Sequence, residues 1–256
     1  MVETKNDKIN LFTNLNKDKF ANNKIGKVFP NLEDQVYKII KDKIIWHGIK
    51  MGERIIDKKL AEELGVSRSM VRQVFTTLVK EELLIIVPRN GFYVREITKK
   101  EIEEIYEIRK VLEVYAIKYA ISRVSDKDIS RIEKLFKRTK EPLKRNDIAG
   151  LIEIDIELHS LIIDNCDNNH IKKIIDKFRN QVDFYRSADL NRVSRAKELY
   201  FEHFEIFQSI KKINTELAIE LMATHIENSK KNVLDNYDKY TYGVINFTYS
   251  VIFQES

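Results

Sequence analysis

An ordered run of short patterns between residues 57 and 95 constrains the fold more than any other feature of the sequence. It starts with a short helical pattern whose apolar positions are Leu60, Ala61 and Leu64, and Asp57 stands where an N-cap is expected. Gly65 follows, as glycine does at the left-handed position that ends many helices. A second helical pattern begins at once, with Ser67 as its cap and an apolar face made of Val71, Val74, Phe75, Leu78 and Val79.

Two β-like runs come next, from Leu84 to Val87 and from Phe92 to Arg95. The residues between them end in Asn90-Gly91, and Asn-Gly is a strong signal for a tight hairpin turn. A longer helical pattern over about 32–44 stands in front of the whole run. Helix, short helix, glycine turn, helix and hairpin, in this order, predict a winged helix-turn-helix.

From Thr98, a cap candidate, to about residue 236 the sequence is helical almost throughout. Only 7 Gly and 3 Pro occur in 256 residues, and a chain this poor in helix breakers favours helix. Six helices are predicted, over about 99–123, 126–145, 147–165, 168–188, 193–212 and 214–236. Short connections between amphipathic helices indicate an all-α antiparallel bundle, so the predicted fold class is mainly α.

Composition indicates a reducing, aqueous compartment. Cys166 is the one cysteine, so no disulfide can form within the chain. The longest purely apolar run has about five residues, far short of the roughly 20 that span a bilayer, and the N-terminus lacks an apolar signal core. We therefore expect a cytoplasmic protein that does not enter a membrane.

Positive charge is concentrated in the first part of the chain. The net charge is +5; residues 1–97 hold 18 Lys and Arg against 13 Asp and Glu, whereas residues 98–256 hold 27 of each. A polyanion is therefore expected to dock on the first part. Many proteins that bind no nucleic acid carry a similar excess, so charge alone does not decide the matter.

The second helix of the predicted motif carries side chains that suit DNA. In a helix-turn-helix this helix enters the major groove and its outward residues contact the DNA. The outward residues are Arg68, Ser69, Arg72, Gln73 and Thr76, and Arg89 stands at the hairpin tip. Arginine binds guanine or phosphate with two parallel hydrogen bonds, and glutamine can read adenine. Taken alone, Arg68 or Arg72 is better explained as an ordinary solvated charge. The whole set of residues, in this order of elements and with this turn, favours DNA contact instead.

The stretch Met51-Gly52-Glu53-Arg54, the segment from Leu60 to Arg72 and the wing from Pro88 to Val94 resemble the GntR regulator signature. The resemblance covers about residues 32–96. It implies that DNA is contacted by Ser67, Arg68, Ser69 and Arg72. It also implies that Lys58 lies near a phosphate and that Arg89 and Gly91 contact DNA from the wing. Gln73-Val74-Phe75 replaces a common Glu-Ala-Leu, and Met70 a common Pro or Thr, so Gln73 is a candidate for altered base preference.

Polar residues recur on apolar faces of the helical part. Asp155 and His159 share one stripe four residues apart, His203 lies on the stripe of helix 193–212, and His225 continues the face of Leu217 and Leu221. An inward carboxylate is costly unless it is paired or bound to a cation. One Asp and three His converging in a bundle core suit a transition metal such as Zn, Ni or Mn. Alternatively, each histidine is an ordinary core or partner-facing residue, and Asp155 pairs with protonated His159.

The helical part resembles the FCD-type effector domain of the FadR branch of GntR regulators. The residues that carry the resemblance are the run from Arg109 to Glu113, the pair Asp155 and His159, and His203 with His225 twenty-two residues later. The resemblance covers about residues 99–236. It implies that the Asp and the three His hold a divalent metal. It also implies that a small carboxylate binds beside this metal.

Arg109 lies on the apolar stripe of the first bundle helix. A buried guanidinium needs an anion. That anion is either a carboxylate effector, held by Arg109 and by open metal positions, or an internal partner, Glu113 or Asp155. The sequence leaves both interpretations open.

These observations divide the chain into four segments. We expect residues 1–30 to form a flexible N-terminal extension, 31–97 the winged helix-turn-helix, 98–236 the helical metal- and effector-binding domain, and 237–256 an aromatic tail. No role is predicted for the extension or the tail.

The function that this organisation favours is a ligand-responsive transcription regulator. The resemblance implies a homodimer that reads a pseudo-palindromic operator in double-stranded DNA and changes its binding when the effector binds. Two alternatives stay open: a helical metalloenzyme fused to a DNA-binding module, and a regulator whose metal is purely structural or is itself the signal. An enzyme is not expected, because no general base beyond the metal ligands and no His-Glu-x-x-His motif is found.

Overall fold

The computed structural model describes residues 31–45, 49–144, 149–189 and 193–238. The expectations for residues 1–30 and for the tail from residue 239 onward lie outside the described residues. Over the described ranges the protein has nine α-helices and three short strands, which confirms the mainly α fold class. The chain divides into two compact units, the first ending at Arg95 and the second beginning at Glu96.

The first unit is the predicted winged helix-turn-helix. Its elements in chain order are α1 (Leu32–Ile45), β1 (Arg54–Ile55), α2 (Asp57–Leu64), α3 (Arg68–Lys80), β2 (Leu84–Val87) and β3 (Gly91–Val94). The strands form an antiparallel sheet in the order β1-β3-β2. The two-residue strand β1 was not predicted, because a periodic pattern cannot show in so short a segment.

The turn between α2 and α3 forms as the sequence predicts. Gly65 has a φ of 67°, which a residue with a Cβ adopts only with strain, and it ends α2. The Ser67 hydroxyl then accepts a hydrogen bond from the backbone N–H of Met70 at 3.2 Å and caps α3. The buried face of α3 packs beneath the sheet, and the rings of Phe75 and Phe92 lie 4.9 Å apart, edge to face.

Two details of the first unit differ from expectation. Asp57 is not an N-cap: α2 begins at Asp57 itself, and the N-cap position is Ile56, which supplies no side-chain hydrogen bond. Strand β3 covers Gly91–Val94, whereas the sequence predicts a β-like run from Phe92 to Arg95. The tight turn, closed by the Asn90 N–H donating to the Val87 carbonyl at 3.0 Å, already pairs Gly91 with Val87.

The second unit contains the six predicted helices. They are α4 (Lys99–Ala120), α5 (Asp126–Lys144), α6 (Ala149–Asn165), α7 (Asn169–Asp189), α8 (Val193–Lys211) and α9 (Thr215–Asp235). Side chains at the junctions explain where the helices start. Thr98 forms a capping box with Glu101, and Asn168 and Asn214 accept hydrogen bonds from the first-turn N–H groups of α7 and α9.

Helix α6 lies at the centre of the second unit. It packs against α4, α5 and α8, while α4 packs along α9. The apolar residues that α6 buries are Leu151, Ile154, Leu158, Leu161, Ile162 and Ile163. Because α6 is covered on several sides, polar residues on its inner faces are removed from water. No helix within the described ranges is long and apolar enough to cross a membrane.

Candidate metal centre and DNA-contact surface

The four residues predicted as metal ligands come together in the core of the second unit. Asp155 and His159 project from α6, His203 from α8 and His225 from α9, and all four are buried. One potential ligand atom from each residue lies within 4.8 Å of those of the other three. The spacing of four along α6 places Asp155 and His159 on one face, one turn apart.

The neighbours of His225 differ from the sequence prediction. Leu217 is 40% exposed, so His225 does not continue a buried Leu217 and Leu221 face. The buried face of α9 instead carries Ala218, Met222 and Ile226 beside His225. The face is rotated because α9 packs against both α4 and α8, and sequence periodicity alone does not fix which side each neighbour covers.

Acceptor atoms face one another inside the cluster. Nε2 of His159 lies 3.3 Å from Nε2 of His225, and Oδ1 of Asp155 lies 3.3 Å from Nε2 of His203 and 3.7 Å from Nε2 of His159. Both ring nitrogens of His203 are buried and make no hydrogen bond to any residue that the structure describes. Such an arrangement is costly without a shared cation or proton, and three imidazoles with one carboxylate suit a divalent transition metal.

Two further carboxylates orient the histidines. Nδ1 of His225 donates to Glu202 at 2.7 Å, and Nδ1 of His159 donates to Glu113. Each bond selects the tautomer that turns the Nε2 lone pair of the histidine into the cluster, as in carboxylate–histidine–metal arrangements. Arg195 in turn donates to Glu202 at 2.7 Å.

The charge states of this site follow from burial and pairing. Burial, and then the neighbouring His203, lower the pKa of His225 to about 3, although the hydrogen bond to Glu202 opposes the shift. Burial raises the pKa of Glu202, but the hydrogen bonds and charges of His225 and Arg195 outweigh it and lower the pKa to about 2. His225 is therefore neutral at pH 7, the form that binds a metal.

Sequence reasoning did not identify Glu202 as part of the site. Glu202 directly precedes His203 on α8, so the two side chains point about 100° apart. Glu202 contacts His225 on the neighbouring helix, and no spacing within one helix could have indicated that contact. Glu113 was considered only as a partner of Arg109.

Arg109 is buried and paired inside the protein. Its Nε donates to Oε1 of Glu113 at 2.6 Å, so one of the two internal partners considered above is present. The second oxygen of the same carboxylate accepts from His159. One carboxylate thus connects the arginine to a histidine of the cluster.

A small cleft, with a cavity volume of about 50 Å³ and partly open to solvent, borders this pair. Helices α4, α6 and α7 line it, and its polar side includes Arg109, Glu113 and His159. The remaining wall is largely apolar and includes Ile108, Leu112, Ile156, Ile163, Phe178 and Val182. Polar groups on one side of an otherwise apolar cleft are typical of a small-molecule site.

The residues predicted to contact DNA lie on the surface of the first unit. Those on α2, α3 and the turn between them are all exposed: Lys58, Ser67, Arg68, Ser69, Arg72 and Gln73. In the wing, Arg89 is exposed and Gly91 partly so, both with a positive φ. The Ser67 and Ser69 hydroxyls lie 3.0 Å apart, and Gln73 donates to Glu33 of α1 at 3.0 Å. Arg68 and Arg72 both contact Asp57.

The fold and these surfaces define a class of bacterial DNA-binding regulator. Residues 32–94 match the family model described as bacterial regulatory proteins, gntR family, and residues 104–228 match the FCD domain. The chain belongs to the GntR family of transcription regulators and carries an FCD domain. The metalloenzyme alternative is not supported, since these families and the named relatives are transcription regulators rather than enzymes.

Individual relatives agree with this assignment. The chain is 32% identical over 193 residues to the HTH-type transcriptional regulator YdhC of Bacillus subtilis (strain 168), covering 75% of this chain and 86% of that protein. It is 23% identical to the HTH-type transcriptional repressor RspR of Escherichia coli (strain K12), covering 79% and 89%. Among solved structures, E. coli McbR/YncC has the same fold, with a TM-score of 0.70 at 21% identity over 81% of this chain and 99% of that one.

Proposed function

We propose that the helical unit of this regulator binds a divalent metal through Asp155, His159, His203 and His225. We further propose that a small carboxylate effector, bound in the adjacent cleft, changes the affinity of the first unit for its operator. The observation that carries the proposal is the convergence of four buried ligand atoms from three helices. The regulator would act in the cytoplasm, where bacterial DNA is found.

The donor set supports a metal more strongly than an ordinary polar core. In a hydrogen-bonded core, each buried ring nitrogen makes a hydrogen bond, whereas neither nitrogen of His203 makes one to a described residue, and its Nε2 lies 3.3 Å from the Asp155 carboxylate of the cluster. The other two histidines are fixed from outside by Glu113 and Glu202, which leaves their Nε2 atoms to the cluster. A bound Zn, Ni or Mn ion would supply a Lewis-acidic centre for an anionic ligand.

The pair of Arg109 and Glu113 gives the cleft a way to recognise a carboxylate. Arg109 uses Nε for Glu113, and a guanidinium carries four further N–H donors. A carboxylate entering the cleft would share the guanidinium with Glu113 or displace it. Because Glu113 also holds His159, either outcome links the effector to the metal site.

An exposed apolar stripe supports the homodimer. Ile108, Val111, Tyr115 and Tyr119 recur at helical spacing on α4, and Val111 is 70% exposed. Contiguous apolar surface on a helix marks an interaction site. A second copy of the chain would cover this stripe and provide the second DNA-reading head that a pseudo-palindromic operator requires.

One observation favours a second candidate, a metal that is structural or is itself the signal. Of the four candidate ligands only His159 lines the cleft. Four protein ligands also complete a tetrahedral site, which is the usual form of a structural zinc. In that case chelation would change folding or DNA binding, and no organic effector would matter.

A thermal-shift screen distinguishes the two candidates. Metal-loaded protein is heated with small mono-, di- and hydroxy-carboxylates, and Arg109→Ala and His203→Ala are screened alongside. An effector at about 100 times its dissociation constant adds roughly 2.7 kcal/mol of stability. We expect a carboxylate that raises the melting temperature of the wild type and of neither variant.

The control is His170→Ala, because His170 is an exposed histidine outside the cluster. It should respond to the carboxylate as the wild type does. No response to any acid, with a lower melting temperature after chelation, would favour the structural or metal-sensing candidate. An unchanged effector affinity in Arg109→Ala would remove Arg109 from the effector site.

A further inference from the structure

Asp57 is a buried carboxylate beneath the two arginines of the DNA-contact surface. Its Oδ2 lies 3.0 Å from Nε of Arg68 and 3.4 Å from Nη1 of Arg72, and its Oδ1 accepts from the backbone N–H of Lys58 at 2.7 Å. The Asp57 side chain is 11% exposed, against 60% for Arg68 and 58% for Arg72. The acid is therefore enclosed, whereas the arginines project into solvent.

The position of Asp57 is unexpected on electrostatic grounds. A negative charge on a DNA-contact surface repels phosphates and lowers affinity for any DNA sequence. Asp57 is not the N-cap of α2, which is Ile56, and of the first-turn N–H groups its side chain accepts that of Lys58. Burial raises the pKa of Asp57, but the hydrogen bonds and charges of Arg68, Lys58 and Arg72 outweigh it, so the group is ionised at neutral pH.

We infer that Asp57 is a positioning residue that sets the sequence specificity of this regulator by holding Arg68 and Arg72 in one arrangement. The two arginines are one helical turn apart on α3 and share a single carboxylate oxygen. That contact occupies Nε of Arg68 and leaves its two terminal nitrogens to form the bidentate pair with guanine O6 and N7. The inference rests on DNA binding by the first unit and not on the metal or the effector.

Base recognition and phosphate binding depend on different properties of an arginine side chain. A phosphate contact needs only the charge, whereas a bidentate base contact needs a fixed guanidinium plane. Ordering a long side chain on binding costs affinity, and an arginine already ordered by Asp57 avoids part of that cost. Asp57 should therefore strengthen binding to the preferred sequence while weakening binding to all others.

The test compares specific with non-specific binding in Asp57→Asn. The specific probe is a duplex selected from a random-sequence pool by the wild-type full-length protein, and the non-specific probe is a scrambled duplex of the same composition. We expect affinity for the selected duplex to fall about tenfold, from the ordering of two arginine side chains. Affinity for the scrambled duplex should stay equal or rise, because a repelling charge is removed.

Three further variants separate positioning from a general effect on the fold or the charge. Asp57→Glu keeps the carboxylate and should recover part of the specific affinity. Glu62→Gln removes the same charge from an exposed site on α2 and should leave the ratio of the two affinities unchanged. In an Arg68→Ala, Arg72→Ala background, Asp57→Asn should have no further effect on that ratio.

Several results would overturn the inference. One is an unchanged ratio of specific to non-specific affinity in Asp57→Asn, which includes an equal loss of both affinities. Another is an Asp57→Glu protein whose specific affinity is no higher than that of Asp57→Asn. Failure of the wild type to enrich any sequence would overturn it too. A failed effector screen would leave it untouched.

Discussion

Single carboxylates connect the functional residues of this regulator. Glu113 accepts from both Arg109 and His159, Glu202 accepts from both Arg195 and His225, and Asp57 contacts two arginines. In each case one carboxylate restricts two basic side chains that would otherwise populate several rotamers. The orientation of the candidate metal ligands and DNA contacts therefore depends on carboxylates that are not themselves among those ligands or contacts.

Removing the shared carboxylate of α4 should weaken metal binding. Glu113→Gln is expected to lower metal affinity by about 10- to 100-fold, because the amide has one oxygen in place of the two charged oxygens that accept from Arg109 and from His159. Competition with a chromogenic chelator measures the change. Glu107→Gln, an exposed site on the same helix, is the control and should bind metal as the wild type does. Equal affinities in all three proteins would show that Glu113 does not support the site.

The low pKa of His225 predicts how the metal-free protein responds to acid. Folding lowers this pKa from 6.5 to about 3, so between those values the unfolded chain binds a proton that the folded chain does not. Stability should therefore fall as the pH drops below about 6.5. Glu202, with a pKa lowered from 4.5 to about 2, adds a loss in the same direction below about pH 4.5.

Melting temperatures of chelator-treated protein between pH 7 and pH 4.5 test this account. The wild type should lose stability steadily over that interval, and His225→Gln should lose less, because its side chain takes up no proton. The same slope in both proteins would contradict a neutral His225 in the folded state.

At the scale of elements, the helices could be predicted because each buries one face against a neighbour, and the apolar period records that burial. The turn at Gly65 and the caps at Ser67 and Thr98 could also be predicted, since their chemistry is local. Contacts between elements could not. Packing between helices determines which residues Asp57 contacts, which face of α9 carries His225, and which histidine Glu202 contacts. The apolar period of a single helix contains no information on such packing.

A close approach of α5 and α6 gives a test of this packing. Alanine in place of a helical glycine ordinarily stabilises a protein by about 1 kcal/mol. At Gly150, however, an added Cβ would collide with the buried side chain of Thr139 on α5. Gly150→Ala should therefore destabilise the protein by about 1–3 kcal/mol.

Thermal unfolding measures this effect, and Thr139→Ala is the matched background. That background removes the Oγ1 and Cγ2 atoms of residue 139 and leaves a contact of 3.0 Å to its Cβ, so Gly150→Ala should destabilise it less than it destabilises the wild type. A higher melting temperature for the single Gly150→Ala variant would contradict the close packing of α5 on α6.

For the whole molecule, the exposed stripe on α4 predicts how the protein assembles. Val111→Glu would place an unpaired charge in the proposed dimer interface, and we expect monomers in sedimentation at concentrations where the wild type is dimeric. Phe201→Glu makes the same kind of change at an exposed apolar residue on α8, away from the stripe, and should stay dimeric. A dimeric Val111→Glu protein would rule out this stripe as the interface.

In the proposed function, the helical unit controls DNA binding through a bound metal and the adjacent cleft. The most direct measurement is the operator affinity of the metal-loaded protein, by fluorescence anisotropy on the selected duplex, with and without the carboxylate found in the thermal screen. Coupling between two sites of one protein typically amounts to 5- to 150-fold. We therefore predict at least a fivefold change in the wild type and none in His203→Ala. An operator affinity that stays the same while the carboxylate is bound to the wild type would contradict the account.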